Sequence, residues 1–220
     1  MSLETARQHA PATERNRQPI LDVLQQVLPK QGTVLEIASG TGEHAVFFAP
    51  RLKHLDWLPS EPTLERIESI KAWQAAKPSA NLLPPIELDV NQQPWPVESA
   101  QKAISTDQPV QKPITAIVNI NMIHISPWAA CQQLMAGAQR ILPIGGVLYL
   151  YGPFRQKDKP FAPSNEAFDQ MLRDRNPNWG IRELTKICHL AEQNNLKHSK
   201  TLSMPANNLS VIFHRVESSQ

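Results

Sequence analysis

The chain has 220 residues, of which 41% are hydrophobic and 19% charged, the balance of a soluble globular protein long enough to bury one sizeable core. A formal net charge of +2, with basic residues scattered among acids, argues against nucleic acid as a partner. Cys131 and Cys188 lie outside any C-x-x-C spacing and the seven histidines show no zinc-type pairing, so a reducing compartment and no structural metal are expected.

Met1 to Arg17 is polar and lacks the apolar centre of a signal peptide, and no segment approaches the ~20 apolar residues that cross a bilayer. The expectation is a cytoplasmic protein with a polar arm over residues 1–18. Pro19 to Leu28 reads as a helix with Pro19 in its first turn and Ile20, Leu21, Leu24, Val27 and Leu28 on one face. Thr33 to Ile37 is a buried strand, followed by a small-residue turn and a short helix from Glu43 that ends near Pro50. His54 to Leu58 is a second strand running into Ser60-Glu61-Pro62. Leu64 to Ala76 is a helix with Leu64, Ile67 and Ile70 at helical spacing and Trp73 at its edge.

Ile86 to Leu88 is a short third strand that meets Asp89. Four prolines between Asn91 and Pro113 predict an irregular excursion. Ile114 to Ile120 is a fourth strand. Ser126 then serves as N-cap, with Pro127 at the first position of a helix reaching about Leu142. Val147 to Tyr151 is a fifth strand, and Gly152 to Pro163 a loop. Ser164 can cap a helix carrying Phe168, Met171 and Leu172, and Glu183 to Gln193 forms another. Lys197 to Leu202 and Leu209 to Arg215 alternate as two late strands around Pro205 to Asn208. Strands separated by helices imply an α/β fold with a doubly wound, mostly parallel seven-stranded sheet. The last two strands have no helix between them and must form an antiparallel hairpin.

Chemistry concentrates at strand ends. Glu36, Ala38, Ser39, Gly40 and Gly42 form a turn between strand and helix, where small residues let backbone N–H groups approach a ligand. Glu61 and Asp89 follow at the next two strand ends, and the switch-point rule places such ends along one crevice. A carboxylate inside the turn is a poor neighbour for a pyrophosphate but suits an ammonium, a sulfonium or a ribose. Glu61 can accept from a ribose diol, Asp89 from an adenine amino group, and Asn119 lies beside the reacting group.

These segments resemble the class I S-adenosylmethionine-dependent methyltransferases from Ile20 to Arg215, with Ala38 where that family carries the first glycine of its turn. A β-carbon restricts positive φ there, so a slightly reshaped turn is expected. A closer similarity is to the methyltransferase-like 26 family, also called domain of unknown function 938. It rests on Glu14 to Ile20, on Asn121 to Trp128, and on Ser164-Asn165, Phe168-Asp169, Leu172-Arg173, Arg175 to Pro177 and Trp179 to Arg182.

The resemblance implies a Rossmann-like methyltransferase fold in a single domain, S-adenosylmethionine as cofactor and a small-molecule acceptor, with 152–182 capping the acceptor site. It points to Tyr151, Asn165, Arg173 and Trp179 as acceptor walls, Trp179 equally serving as a packing anchor. Arg17 suits the methionyl carboxylate, the alternative being a solvent-facing arginine. His124 is the candidate general base, its alternative a histidine packed at a helix start, and His44 reads as structural. Two other functions remain open. Gly40-x-Gly42-x-x-Ala45 also fits a dinucleotide fingerprint and hence an NAD-linked oxidoreductase, and a non-catalytic cofactor-binding regulator would keep the same pocket.

Overall fold

A computed structural model describes residues 6–98 and 112–218. Helix α1 spans Pro11–Val27 and leads to β1, Thr33–Ile37. Helix α2, Glu43–Phe48, tightens into a 3-10 turn at Ala49–Arg51 before β2, Asp56–Glu61. Helix α3, Leu64–Ala76, precedes β3, Ile86–Glu87, and β4 is Ile114–Ile120. A 3-10 turn at Met122–His124 opens onto α4, Trp128–Ile141, followed by β5, Val147–Gly152, and β6, Phe154–Arg155. Helix α5 is Pro163–Arg175, β7 is Arg182–Glu183 and α6 is Leu184–Gln193. The chain closes with β8, Leu196–Met204, and β9, Asn208–Arg215.

Seven strands form one sheet in the order β3-β2-β1-β4-β5-β9-β8. The pairs β1–β2 and β2–β3 are parallel, whereas β9 is antiparallel to both β5 and β8. This is the mostly parallel, helix-flanked, Rossmann-like methyltransferase architecture with its terminal hairpin. Because the order reverses between β1 and β4, the switch point falls beside the turn that follows β1. No helix among the described residues is long and apolar enough to cross a membrane.

The chain divides into two compact units, Met1–Val118 and Asn119–Gln220. In the first, all five residues of β1 are buried, Glu36 among them, which agrees with the buried strand read over Thr33 to Ile37. Trp57, Leu35, Ile20 and Leu24 fill that core, each fully buried aliphatic contributing about 2 kcal/mol. In the second unit Leu148, Leu150, Val211 and Phe213 do the same, with β9 buried and β8 mostly exposed.

Several elements differ from expectation. Helix α1 starts with Pro11 in its first turn, and Pro19 lies inside it. Residues 14–18 are uniformly polar and hide the helical period, yet Glu, Arg and Gln sustain a helix well. Trp73 is buried rather than at an edge, and its indole donates to the Gln8 carbonyl at 2.9 Å. Ser126 is not a cap: Pro127 holds that position, and the Ser126 hydroxyl donates back to the Met122 carbonyl at 2.8 Å. Ala162 likewise stands where Ser164 was expected. The parallel pair β6–β7 lies where a loop and a turn were expected, since two-residue strands carry no readable period. Of the proline-rich excursion, residues 91–98 include a 3-10 turn at Pro96–Glu98, and 99–111 lie outside the described residues.

Candidate functional site

The turn after β1 combines three left-handed residues, Ala38 (φ 57°), Gly40 (φ 61°) and Gly42 (φ 92°). Ala38 adopts this conformation despite its methyl group, at a cost of roughly 1–2 kcal/mol. Hydrogen bonds to the neighbouring strand hold it there. Ser39 N–H donates to the Ser60 carbonyl at 2.9 Å, Ser60 N–H donates to Ser39 Oγ at 3.1 Å, and Ser60 Oγ donates to the Glu36 carbonyl at 2.8 Å. The glycines differ in what surrounds them. A β-carbon on Gly42 would lie 2.8 Å from Ile70 Cα, so α3 packs directly on the turn. Around Gly40 nothing lies within 4 Å of that position, so its backbone faces open space.

Two carboxylates back this turn. Glu36 is 1% exposed and accepts from the Trp57 indole at 2.9 Å. Burial raises its pKa to about 7, opposed by the Trp57 and Ser39 hydrogen bonds and reinforced by the charge of Glu61. Glu61, also buried, accepts the Gly40 N–H at 2.6 Å. Burial pushes its pKa up too, while the Gly40 N–H and the Arg66 guanidinium pull it back. The structure thus brings Glu36, Glu61 and the turn together. Asp89, just beyond β3, is half-buried and binds locally, accepting from the backbone and side-chain amides of Asn91, each at 2.9 Å.

Arg17 sits 4.7 Å above the Phe47 ring, which Arg51 also covers at 3.9 Å. Both arginines and Lys77 line a hollow of about 320 Å³. Behind Arg17 in sequence, Asn16 Oδ1 meets His44 Nε2 at 2.8 Å. His44 stacks on Phe48 at 5.3 Å, and burial, aided by the Arg17 charge, lowers its pKa to about 3.

In the second unit Asn119 is 1% exposed at the end of β4. Asn121 is left-handed (φ 65°), and its N–H donates to the carbonyl of buried Tyr151 at 2.8 Å. This turn delivers His124 to a fully buried position, where neither ring nitrogen has a hydrogen-bond partner among the described residues. Burial, then the Arg182 charge, lowers its pKa to about 3. Such an imidazole is neutral near pH 7 and a weak proton acceptor. A β-carbon on Gly152 would lie 2.5 Å from His124 Nε2, and Phe154 packs edge-on to the ring at 5.0 Å.

The surrounding segments converge on this turn. Arg182 donates to the carbonyls of Ile123 (2.9 Å), Ser126 (2.6 Å) and Asn178 (3.0 Å), and Gly180 N–H donates to the His124 carbonyl at 2.9 Å. Asp169 accepts from Ile181 N–H at 2.6 Å and from Arg173 Nε at 2.9 Å. Arg173 is therefore paired with Asp169 within α5, and the backbone N–H of half-buried Trp179 donates to the Asn176 carbonyl at 2.9 Å. Asn165 is buried and donates to the Asn207 carbonyl at 3.0 Å. Sequence reasoning assigned no role to Trp57, Gly152, Asp169 or Arg182. The last two stand in the segments that carry the family resemblance; nothing local marks Trp57 as the partner of Glu36.

The family model described as protein of unknown function (DUF938) matches residues 7–215. Among solved structures, a putative O-methyltransferase from Nostoc punctiforme superposes with a TM-score of 0.73 at 15% identity, covering 96% of this chain and 59% of that one. An O-methyltransferase family 2 protein from Planctomyces limnophilus, in complex with apigenin, gives 0.73 at 15% identity, covering 93% and 60%. Human N-acetylserotonin methyltransferase, in complex with SAM, gives 0.72 at 11% identity, covering 94% and 53%. At these identities the likeness is one of fold, and the chain spans 53–60% of the length of these three proteins.

Proposed function

The chain belongs to the DUF938 family, and we propose that it transfers a methyl group from S-adenosylmethionine to a small-molecule acceptor. The observation that carries this reading is the pair of buried carboxylates, Glu36 and Glu61, each met by a neutral N–H donor, behind a turn that is open at Gly40. Bringing a pyrophosphate to two buried acids is electrostatically unfavourable, whereas a sulfonium and an ammonium relieve both. The antiparallel β9 between β5 and β8 also departs from the dinucleotide-binding strand order. The residues present fit the donor, and the finer methyltransferase-like 26 assignment accords with them.

In this reading the small residues Ala38, Ser39, Gly40 and Gly42 let the donor approach the turn closely, and Glu61, which already fixes the Gly40 N–H, accepts from its ribose hydroxyls. Asp89 takes the adenine amino group, Arg17 the methionyl carboxylate, and Asn119 lines the reacting end. When bound, the donor supplies an electrophilic methyl carbon whose departure leaves a thioether. His124, neutral and buried, orients the acceptor by hydrogen bonding rather than by taking a proton. Tyr151, Asn165, Arg173 and Trp179 belong to the acceptor side, with 152–182 as its cap, in an enzyme acting in the cytoplasm. Positioning and exclusion of water then provide most of the rate enhancement.

Calorimetric titration with S-adenosylhomocysteine and, separately, NADH tests the assignment. Saturable binding of the first without the second is expected. Binding of NADH alone, or of neither ligand at millimolar concentration, contradicts it.

A further inference from the structure

The turn joining β8 to β9 holds Ala206 (φ 55°) and Asn207 (φ 57°) consecutively in the left-handed region. An alanine resists this by roughly 1–2 kcal/mol, so contacts from outside must fix the turn. Asn165 of α5, 8% exposed, donates to the Asn207 carbonyl at 3.0 Å, and Asn207 Nδ2 donates to Ser164 Oγ at 3.1 Å. Asn208 Nδ2 ties the turn internally, donating to the Pro205 carbonyl at 3.0 Å. Strain fixed by a surrounding polar net is characteristic of ligand sites. Here the net borders a hollow of about 210 Å³ within the second unit.

The hollow's walls define its chemistry. Phe154 and Phe161 supply aromatic surface, and Arg155 lies 4.2 Å over the Phe161 ring and holds it in place. Gln156, Asn165 and Asn207 bring amide groups to it, and Lys159 is the one charged side chain lining it among the described residues. An amide both donates and accepts, as does a hydroxyl, and it carries no net charge to desolvate. Pockets for drug-sized ligands run from about 300 Å³ upward, so this one suits a single ring. Phe154, on the wall of the hollow, also packs edge-on against the ring of His124, whose nitrogens have no hydrogen-bond partner among the described residues.

Resting on the methyl-transfer reading, we propose that this hollow seats the methyl acceptor as an uncharged, hydroxyl-bearing single ring, whose hydroxyl oxygen bonds the methyl carbon as the donor's carbon–sulfur bond breaks to leave the thioether, the hydroxyl proton passing to solvent water. Gln156, Asn165 and Asn207 read its hydroxyls, and the two phenylalanines pack its faces.

Resorcinol, benzoate and benzylamine present one ring with neutral, anionic and cationic substituents. Ligand-observed saturation-transfer NMR on the full chain without cofactor should show resorcinol bound in preference to both. Asn165→Leu risks releasing the turn, whereas Gln156→Leu leaves the Asn165–Asn207 tie intact and should weaken resorcinol roughly fivefold. Equal binding of the three rings, or resorcinol binding indifferent to Gln156→Leu, overturns the proposal. S-adenosylhomocysteine calorimetry on the same sample separates the two readings. Donor binding without resorcinol binding overturns the ring site alone. Resorcinol binding without donor binding leaves a ring site but removes its role as a methyl-acceptor site.

Discussion

Two glycines in one turn illustrate how the same residue type serves different ends. At Gly42 an added methyl group meets the α3 backbone at 2.8 Å, and backbone cannot swing aside. Gly42→Ala should therefore cost about 2–3 kcal/mol of stability from overpacking and left-handed strain together. At Gly40 the same change meets no protein atom within 4 Å, so only the backbone preference of about 1–2 kcal/mol opposes it. Its methyl group instead projects into the open space where donor is expected. Gly40→Ala should keep most of its stability and lose affinity for S-adenosylhomocysteine. Urea midpoints and calorimetry on both variants check this. Equal destabilisation by the two changes, or unaltered donor affinity in Gly40→Ala, would contradict it.

At the scale of elements, legibility depended on whether one physical force set each boundary. Strands β1 and β4 were read correctly from Thr33–Ile37 and Ile114–Ile120 because nearly continuous burial dictates their composition. Helix α3 was equally clear from its bounds at Leu64 and Ala76. Capping residues misled: Ser126 and Ser164 have the right chemistry for N-caps, but their hydroxyls are engaged elsewhere, with Met122 and Asn207. In the site, the Glu36, turn and Glu61 cluster was legible because those residues sit at strand ends. The Trp57 bond to Glu36 and the Arg182 staple were not, since each joins residues distant in sequence through side-chain reach. Arg182 uses the fork of its guanidinium to reach carbonyls on both the His124 turn and the Asn178 segment. A lysine cannot span them. Arg182→Lys should cost about 2 kcal/mol and speed hydrogen exchange at the Gly180 amide, which donates to His124. Undiminished protection of that amide would show that the turn stands without the staple.

Across the whole molecule, buried titratable groups pull stability in opposite directions with pH. Glu36 has its pKa raised from 4.5 to about 7. Its contribution is complete below pH 4.5 and disappears as pH rises through 7; Glu61, also raised, acts in the same sense. His44 and His124 are lowered from 6.5 to about 3, so theirs is complete above pH 6.5 and is lost as pH falls toward 3. Between pH 5 and 6.5 the imidazoles and the carboxyls oppose each other. Replacing Glu36 by glutamine retains an acceptor for Trp57 and removes one opposing proton. The variant should lose stability on acidification more steeply than wild type, by about 1.4 kcal/mol per pH unit. Urea midpoints at pH 5, 5.5, 6 and 6.5 give the slopes, and identical slopes would show that Glu36 titrates normally.

The decisive quantity is the dissociation constant of S-adenosylhomocysteine for Glu61→Gln against wild type. The glutamine carbonyl can still accept the Gly40 N–H, so the turn survives while the charged acceptor for the ribose is lost. An affinity about tenfold weaker, with a urea midpoint no lower than that of wild type, is the predicted result. Wild-type affinity in the folded variant would contradict the role of this strand end in holding the donor.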